Sequence, residues 1–315
     1  MKYGFGVDLG GTTVKLAYFD ENGTMLHKWE IPTVTANGGS QILPDIAKAI
    51  RGYMAENAIA DQDVLGIGIG VPGPVSASGI VNKCVNLGWG VFNIHEQLGQ
   101  LTGLPVKAGN DASVAALGEC WKGGGAGCQN MVFATLGTGV GGGIVVDGNV
   151  IHGAHGAGGE IGHMVLNREE TESCGCGKKG CVEQYCSATG IVRLAKKALA
   201  ATDKPSCLRS PENLTCKDVF DAGNRGDELA LEILEQVYAY MGEFLANVCN
   251  VVNPEAVVLG GGVSKAGQPL LDGAQRHFAK YVFHAASNVR FALASLGNDA
   301  GAYGAFKLIL LERGQ

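Results

Sequence analysis

Residues 155–185 read HGAGGEIGHMVLNREETESCGCGKKGCVEQY. Cys174, Cys176 and Cys181 crowd three thiols into eight positions, His163 lies shortly upstream, and Glu160 and Glu183 bracket the set. Thiolates and an imidazole suit a zinc-like metal, although thiols this close could also form a redox pair with one to spare. The two carboxylates do not have the character of structural metal ligands, so a metal alone does not account for the segment.

Three glycine turns follow apolar runs: Gly10-Gly11-Thr12-Thr13, Gly137-Thr138-Gly139 and Gly260-Gly261-Gly262. Successive backbone N–H groups in such turns form nests for phosphate, and threonine hydroxyls add donors. No Gly-Lys-Ser/Thr closes a Walker A motif, and any one turn could simply join two strands. Three in one chain favour a nucleotide held between two lobes. Asp8 precedes the first turn. A carboxylate beside a phosphate nest needs an intervening cation, which points to Mg²⁺; the plainer reading is a turn-initiating aspartate. Asn110 and Asp111 fall between a strand and a helix. There they either cap the helix or set a carboxylate at the strand's C-terminal end, able to take a proton from a hydroxyl.

The strands and helices that carry these residues are legible in outline. FGVDLGGTTVKLAYFDENGTML, residues 5–26, predicts strand, glycine turn, strand, Asn-Gly turn, strand. VFATLGTGVGGGIVVDGNVI, residues 132–151, repeats that order, and the Leu9-to-Asp20 spacing equals that of Leu136 to Asp147. Two related halves are the expectation. Apolar periodicity predicts a helix over 40–59 with Ser40 placed to cap it. A buried strand over 64–75 ends in a Pro-Gly-Pro turn. Residues 104–120 give a strand and then a helix. Further helices are expected at 187–200 and 227–252, the second stopping near Asn253-Pro254. A strand enters the third glycine turn from Glu255, and a last helix covers 301–312. Alternating strands and helices make the class α/β with mixed sheets.

Composition agrees. A length of 315 residues suggests two domains, at about 150 residues each. Glycine supplies 50 of the 315 residues, more than twice the usual ~7%. The glycines cluster in short turns without a collagen-like period, marking backbone that something approaches closely. A net charge of −6 with no Lys/Arg block argues against nucleic acid. The first residues lack the apolar core of a signal peptide, and no apolar run is long enough for a membrane span. Ten cysteines without such a leader fit a reducing, cytoplasmic compartment.

DLGGTTVK, VPGPV, GNDA, LGTGVGGG, HGAGGEIGHM and CGCGKKGCVEQY occur in this order across essentially the whole chain. Together they resemble the ROK family (repressor, open reading frame, kinase) of sugar kinases, in particular its bacterial ATP-dependent glucokinases. The specific signal is Glu-x-Gly-His followed by Cys-x-Cys-Gly-x-x-Gly-Cys-x-Glu. The resemblance implies two ribonuclease-H-like lobes of the actin and hexokinase superfamily, closing over sugar and ATP. A smaller N-terminal lobe would cover residues 1–121, with a C-terminal helix near 301–315 packing back on it. A larger lobe, 122–300, would carry the zinc site and nucleotide contacts.

By the same resemblance Asp111 is the catalytic base, and Asn110, Asp111, Glu160, His163 and Glu183 meet sugar hydroxyls. The backbone at Gly73 approaches the sugar. Gly10, Gly11, Thr12, Thr13, Lys15, Gly137, Thr138 and Gly139 serve the phosphates, with Asp8 toward Mg²⁺, and Gly261 and Gly262 lie on the nucleotide side. Cys174, Cys176 and Cys181 with His163 then make a closed Cys₃His set, which is structural zinc chemistry. One His163 nitrogen is left for a sugar hydroxyl. Cys186 falls outside the spacing and reads as packing, and His152 and His155 as loop or core residues. The expected reaction is phosphorylation of glucose at the 6-hydroxyl by ATP, in a homodimer that binds neither nucleic acid nor membrane. The alternatives are a kinase for another hexose or an N-acetylhexosamine (fructose, N-acetylglucosamine, N-acetylmannosamine), a polyphosphate donor, or a non-catalytic sugar-sensing regulator. Repressors of the family carry a helix-turn-helix before the first glycine turn, for which a strand starting at about residue 3 leaves no room.

Overall fold

The computed structural model describes residues 1–314. Two compact units emerge. The first comprises Met1–Gln129, Gly143–Gly159 and the chain from Ser295 onward; the second comprises Asn130–Gly142 and Glu160–Ala294.

In the first unit β1 (Tyr3–Leu9), β2 (Thr13–Asp20) and β3 (Met25–Pro32) form an antiparallel meander. A short turn, α1 (Ala36–Gly39), leads to α2 (Ile42–Glu56). Then follow β4 (Val64–Val71), β5 (Ile80–Cys84), β6 (Trp89–Asn93), α3 (Ile94–Thr102), β7 (Val106–Asn110) and α4 (Asp111–Lys122). The sheet order is β3-β2-β1-β4-β7, with β4 and β7 parallel to β1. Alternation explains its two faces. Phe5, Val7 and Leu9 of β1 with Ile67, Ile69 and Val71 of β4 point one way and pack with Ile42, Ile46 and Ile50 of α2. The other face is bare at Gly6 and Gly68. A Cβ at these two positions would overlap the carbonyl oxygens of Ala302 and Ala305. The glycines therefore let α10 (Ala300–Glu312) lie directly on the sheet backbone. Phe306 closes that side, stacked on Phe19 at a centroid distance of 4.9 Å.

The second sheet has the order β10-β9-β8-β11-β12, from β8 (Met131–Leu136), β9 (Val140–Val146), β10 (Asn149–Val150), β11 (Ala256–Gly260) and β12 (Arg290–Leu293). Here β11 runs parallel to both β8 and β12. Three strands in meander order followed by two parallel ones repeats the first sheet's topology, as the matching hairpin spacings anticipate. The helices of the second unit are α5 (Glu183–Cys186), α6 (Ala188–Ala201), α7 (Cys216–Asn224), α8 (Glu228–Val252) and α9 (Gln268–Phe278). Asp227 caps α8 by accepting from Ala230 N at 3.0 Å, and a left-handed Asn253 before Pro254 ends it.

Three sequence expectations shift. The helix expected over 40–59 is α2, and Ser40 does not cap it: Gln41 holds the N-cap position without a side-chain bond. The strand expected over 64–75 ends at Val71, because Pro72 has no N–H to give a ladder. The β5–β6 hairpin and the helices α3, α7 and α9 are additional. Among the described residues no helix is long and apolar enough to cross a membrane.

Candidate functional site

In the first unit the strand-to-helix junction answers the capping question. Asn110 is the N-cap of α4, its Oδ1 accepting from Ser113 N at 3.1 Å. Its Nδ2 donates to Gly73 O at 3.3 Å and to Asp111 Oδ1 at 3.0 Å. Ala112 N donates to the same Asp111 oxygen at 2.8 Å. Cap and carboxylate are thus separate residues. Asn110 ties the helix start to the Pro-Gly-Pro turn, and Asp111 is held half-buried in the first turn, where the helix dipole favours its charge.

Asp8 faces Lys15 across the β1–β2 ladder, with Nζ 3.7 Å from Oδ2. Burial pushes the Asp8 carboxyl above its ordinary value, against the opposing pull of Lys15. Lys15 also donates to Asn298 O at 3.4 Å. The first glycine turn closes with Gly10 N on Thr13 O at 3.0 Å. Thr33 steadies it from outside, its hydroxyl on Gly10 O at 2.7 Å, while Gly11 and Thr12 stay exposed. His152 is half-buried, and burial holds its ring below the usual histidine value.

In the second unit the Gly137–Gly139 turn is bound to the start of α6. Ala188 N donates to Gly137 O at 2.8 Å and Thr189 Oγ1 to Thr138 O at 2.7 Å. Glu183 Oε2 accepts Val140 N at 3.0 Å, and a Cβ at Gly139 would run into that oxygen. Gly261, at φ +81°, lies against the Leu136 backbone, where any side chain would collide. An open groove of about 650 Å³ runs from Thr138 along α6, past Thr189, Val192 and Lys196, to Leu214.

His163, Cys174, Cys176 and Cys181 each bring one ligand atom to within 4.8 Å of all the others. Cys176 Sγ and Cys181 Sγ are 3.6 Å apart, and Cys174 Sγ is 3.9 Å from His163 Nδ1. Tetrahedral zinc with Zn–S of about 2.3 Å and Zn–N of about 2.0 Å separates sulfurs by roughly 3.8 Å and sulfur from nitrogen by roughly 3.5 Å. The donor set fits zinc, with Nδ1 as the inward nitrogen. Gly162 lets His163 reach the set, because a Cβ there would overlap Val140 O. Glu183 Oε1 lies 3.5 Å from Cys174 Sγ, so this carboxylate borders both the thiol cluster and the glycine turn. Glu160 is exposed at the start of the short turn that carries His163.

Sequence reasoning missed the residues that hold this loop. Gln184 Oε1 accepts from Gly180 N at 2.8 Å and Cys181 N at 3.1 Å, while its Nε2 donates to Glu172 O at 3.0 Å. Glu170, its side chain only 6% exposed, accepts from Tyr185 Oη at 2.6 Å and pairs with Arg193. Burial works to raise the Glu170 carboxyl, but the Tyr185 and Arg193 hydrogen bonds outweigh it and hold the group at about 2. Cys186 is wholly buried, as packing requires.

With this arrangement the chain belongs to the ROK family, whose profile matches residues 4–312. It is 44% identical to a glucokinase of Halalkalibacterium halodurans over 304 residues, 95% of this chain and 92% of that one. A glucokinase of Thermotoga maritima is 34% identical over 96% of each chain. The crystal structure of a ROK family glucokinase from Streptomyces griseus, in complex with glucose and AMPPNP, aligns with a TM-score of 0.74 at 31% identity, covering 97% of this chain and 98% of that one.

Proposed function

We propose that this protein is a glucokinase, transferring the γ-phosphoryl group of ATP to the 6-hydroxyl of glucose, with Asp111 as general base. The observation that carries the reading is the 44% identity to a glucokinase across 95% of the chain. The Asn110–Asp111 junction and the Glu160, His163 and Glu183 set support it.

Asp111 would orient the 6-hydroxyl and accept its proton as the oxygen attacks phosphorus; ADP leaves and glucose 6-phosphate forms. Phosphoryl transfer is loose and needs mainly positioning and charge neutralisation. Asn110, pinned to Gly73 O, would fix the sugar's orientation beside the base. Glu160 and Glu183 would accept sugar hydroxyls, and His163 would donate from the ring nitrogen not turned to the thiols. The Gly10–Thr13 and Gly137–Gly139 turns would receive the phosphates, and Gly261 and Gly262 the nucleoside end. The groove along α6 has apolar walls at Val192 and Leu214 and a cation at Lys196, suited to a base and ribose. Bound Mg²⁺, held at Asp8, would neutralise phosphate charge. Zinc on the Cys₃His set would keep His163 and Glu183 in place as a structural brace.

The test is the initial rate of ADP release with MgATP across glucose, mannose, fructose, N-acetylglucosamine and N-acetylmannosamine, with Asp111→Asn alongside. Glucose should be preferred. Removing a general base should cut turnover by about 10²–10⁴-fold while glucose still binds. Preference for an N-acetyl sugar would correct the substrate; near-normal turnover in the variant would remove Asp111 from the mechanism.

A further inference from the structure

Glu119 lies on α4 two turns beyond Asp111 and is fully buried, yet phosphoryl transfer as derived above makes no use of it. Its carboxyl accepts three backbone N–H groups. Oε1 takes Leu296 N at 2.9 Å, and Oε2 takes Gly124 N at 2.8 Å and Ser295 N at 3.0 Å. Gly123 folds over the group so closely that a Cβ there would overlap Oε2. A buried carboxyl is tolerated only when its lone pairs are met in this way. Glutamine is no substitute, because both oxygens accept and its NH₂ would face an N–H.

What Glu119 grips leads directly to the phosphate hairpin. Two residues past Leu296, the Asn298 carbonyl accepts from Lys15 Nζ, and Lys15 pairs with Asp8. Gly301 packs on the Asp8 carboxyl, where an added Cβ would sit 2.6 Å from its Cγ. Lys28 anchors the same segment through Asp299 at 2.9 Å. Behind it α4 and α10 touch backbone to backbone, since a Cβ at Gly118 would overlap Ala300 O and one at Gly304 would overlap Val114 O. Asp111 stands at the start of this same α4.

We propose that Glu119 is a positioning residue, which, by holding the Ser295–Leu296 backbone to α4, fixes the Asp8–Lys15 pair in register with Asp111. The proposal rests on the kinase reading of Asp111 and Asp8. Glu119 acts only through backbone and meets neither sugar nor nucleotide.

The test compares Glu119→Gln, Gly123→Ala and Gly301→Ala in the full chain, measuring kcat with MgATP and, by calorimetry, the glucose Kd. A displacement near 1 Å costs about 10²-fold in rate, so Glu119→Gln should lower kcat by about 10- to 100-fold while glucose Kd stays within about twofold. Gly301→Ala, which presses on Asp8 directly, sets the signature: kcat falls although alanine favours the helix over glycine. If Glu119→Gln does not fold, Gly123→Ala, which displaces the carboxyl while keeping it, is read in the same way. A folded variant with kcat within twofold of the parent overturns the proposal, as does kcat falling together with glucose affinity in step with the folded fraction. Turnover retained by Asp111→Asn would instead overturn the kinase reading.

Discussion

Replacing Gly139 by alanine separates stability from function. The new methyl would land on Glu183 Oε2, the oxygen that accepts Val140 N at 3.0 Å. Gly139 does not have a positive φ, so the backbone accepts alanine without strain. The obstructing atom is the end of a flexible side chain, so the carboxylate swings aside and the fold keeps its form. The loss is then one charge-assisted hydrogen bond inside the turn, about 1.5–3 kcal/mol, and at an unfolding entropy of about 2.1 cal/mol/K per residue Tm should fall by about 2–5 °C. Sugar binding should suffer far more. A hydrogen bond to a charged group contributes about 1.5–3 kcal/mol, which at 1.36 kcal/mol per tenfold is about 10- to 150-fold. The glucose KM should rise by that factor, with the MgATP KM changing less. Steady-state kinetics with each substrate varied, beside calorimetric melting, gives all three numbers. A glucose KM within threefold of the parent in a folded variant would refute the placement of Glu183 at the sugar. A collapse of Tm would refute the claim that the side chain yields.

The thiol cluster makes a second prediction: zinc content, measured by mass spectrometry, should be about one per chain and should fall toward zero in Cys176→Ser or after chelation. Glucose affinity should weaken in parallel, because His163 loses its fixed orientation; full zinc retention in Cys176→Ser would contradict the ligand set. A third concerns pH. Glu170 is held at about 2, below its ordinary 4.5, so its stabilisation is present above 4.5 and is lost as pH falls toward 2. Glu170→Gln should therefore destabilise at pH 7 by about 1–3 kcal/mol, with the gap between parent and variant narrowing below pH 4.5. Urea melts at pH 7 and pH 3 check this, and an equal gap at both would show that the carboxylate's charge plays no part.

Much of the candidate site's local geometry was readable because its signals are local. A Cys-x-Cys-x₄-Cys run brings its sulfurs together through its own tight turns, as with Gly177 N on Cys174 O at 2.9 Å. An Asn-Asp pair between an extended run and a helical one places its own cap. The two sheets open with the same three-strand meander because hairpin spacing is a property of each segment. The expected Ser40 cap failed for the opposite reason: capping depends on where the chain enters the helix, and α2 begins after Gln41. The alternation of glycine with large apolar residues in GFGV and GIGIG announced a buried strand. It did not disclose that α10, more than 200 residues later, lies on the bare face.

Glu119 marks the division most clearly. In sequence it is one glutamate on an amphipathic helix, with nothing to distinguish it from a solvated one. Its three partners include Ser295 and Leu296, more than 170 positions away. Gln184 and the Glu170–Tyr185–Arg193 set are likewise ordinary residue types that acquire their roles from contacts. The turns, the metal-ligand spacing and the acid at the strand end follow from local sequence, since each depends on backbone geometry within a few residues. Which carboxyls are buried and which backbone N–H groups meet them emerges only on folding, because desolvation and hydrogen-bond partners belong to the packed chain.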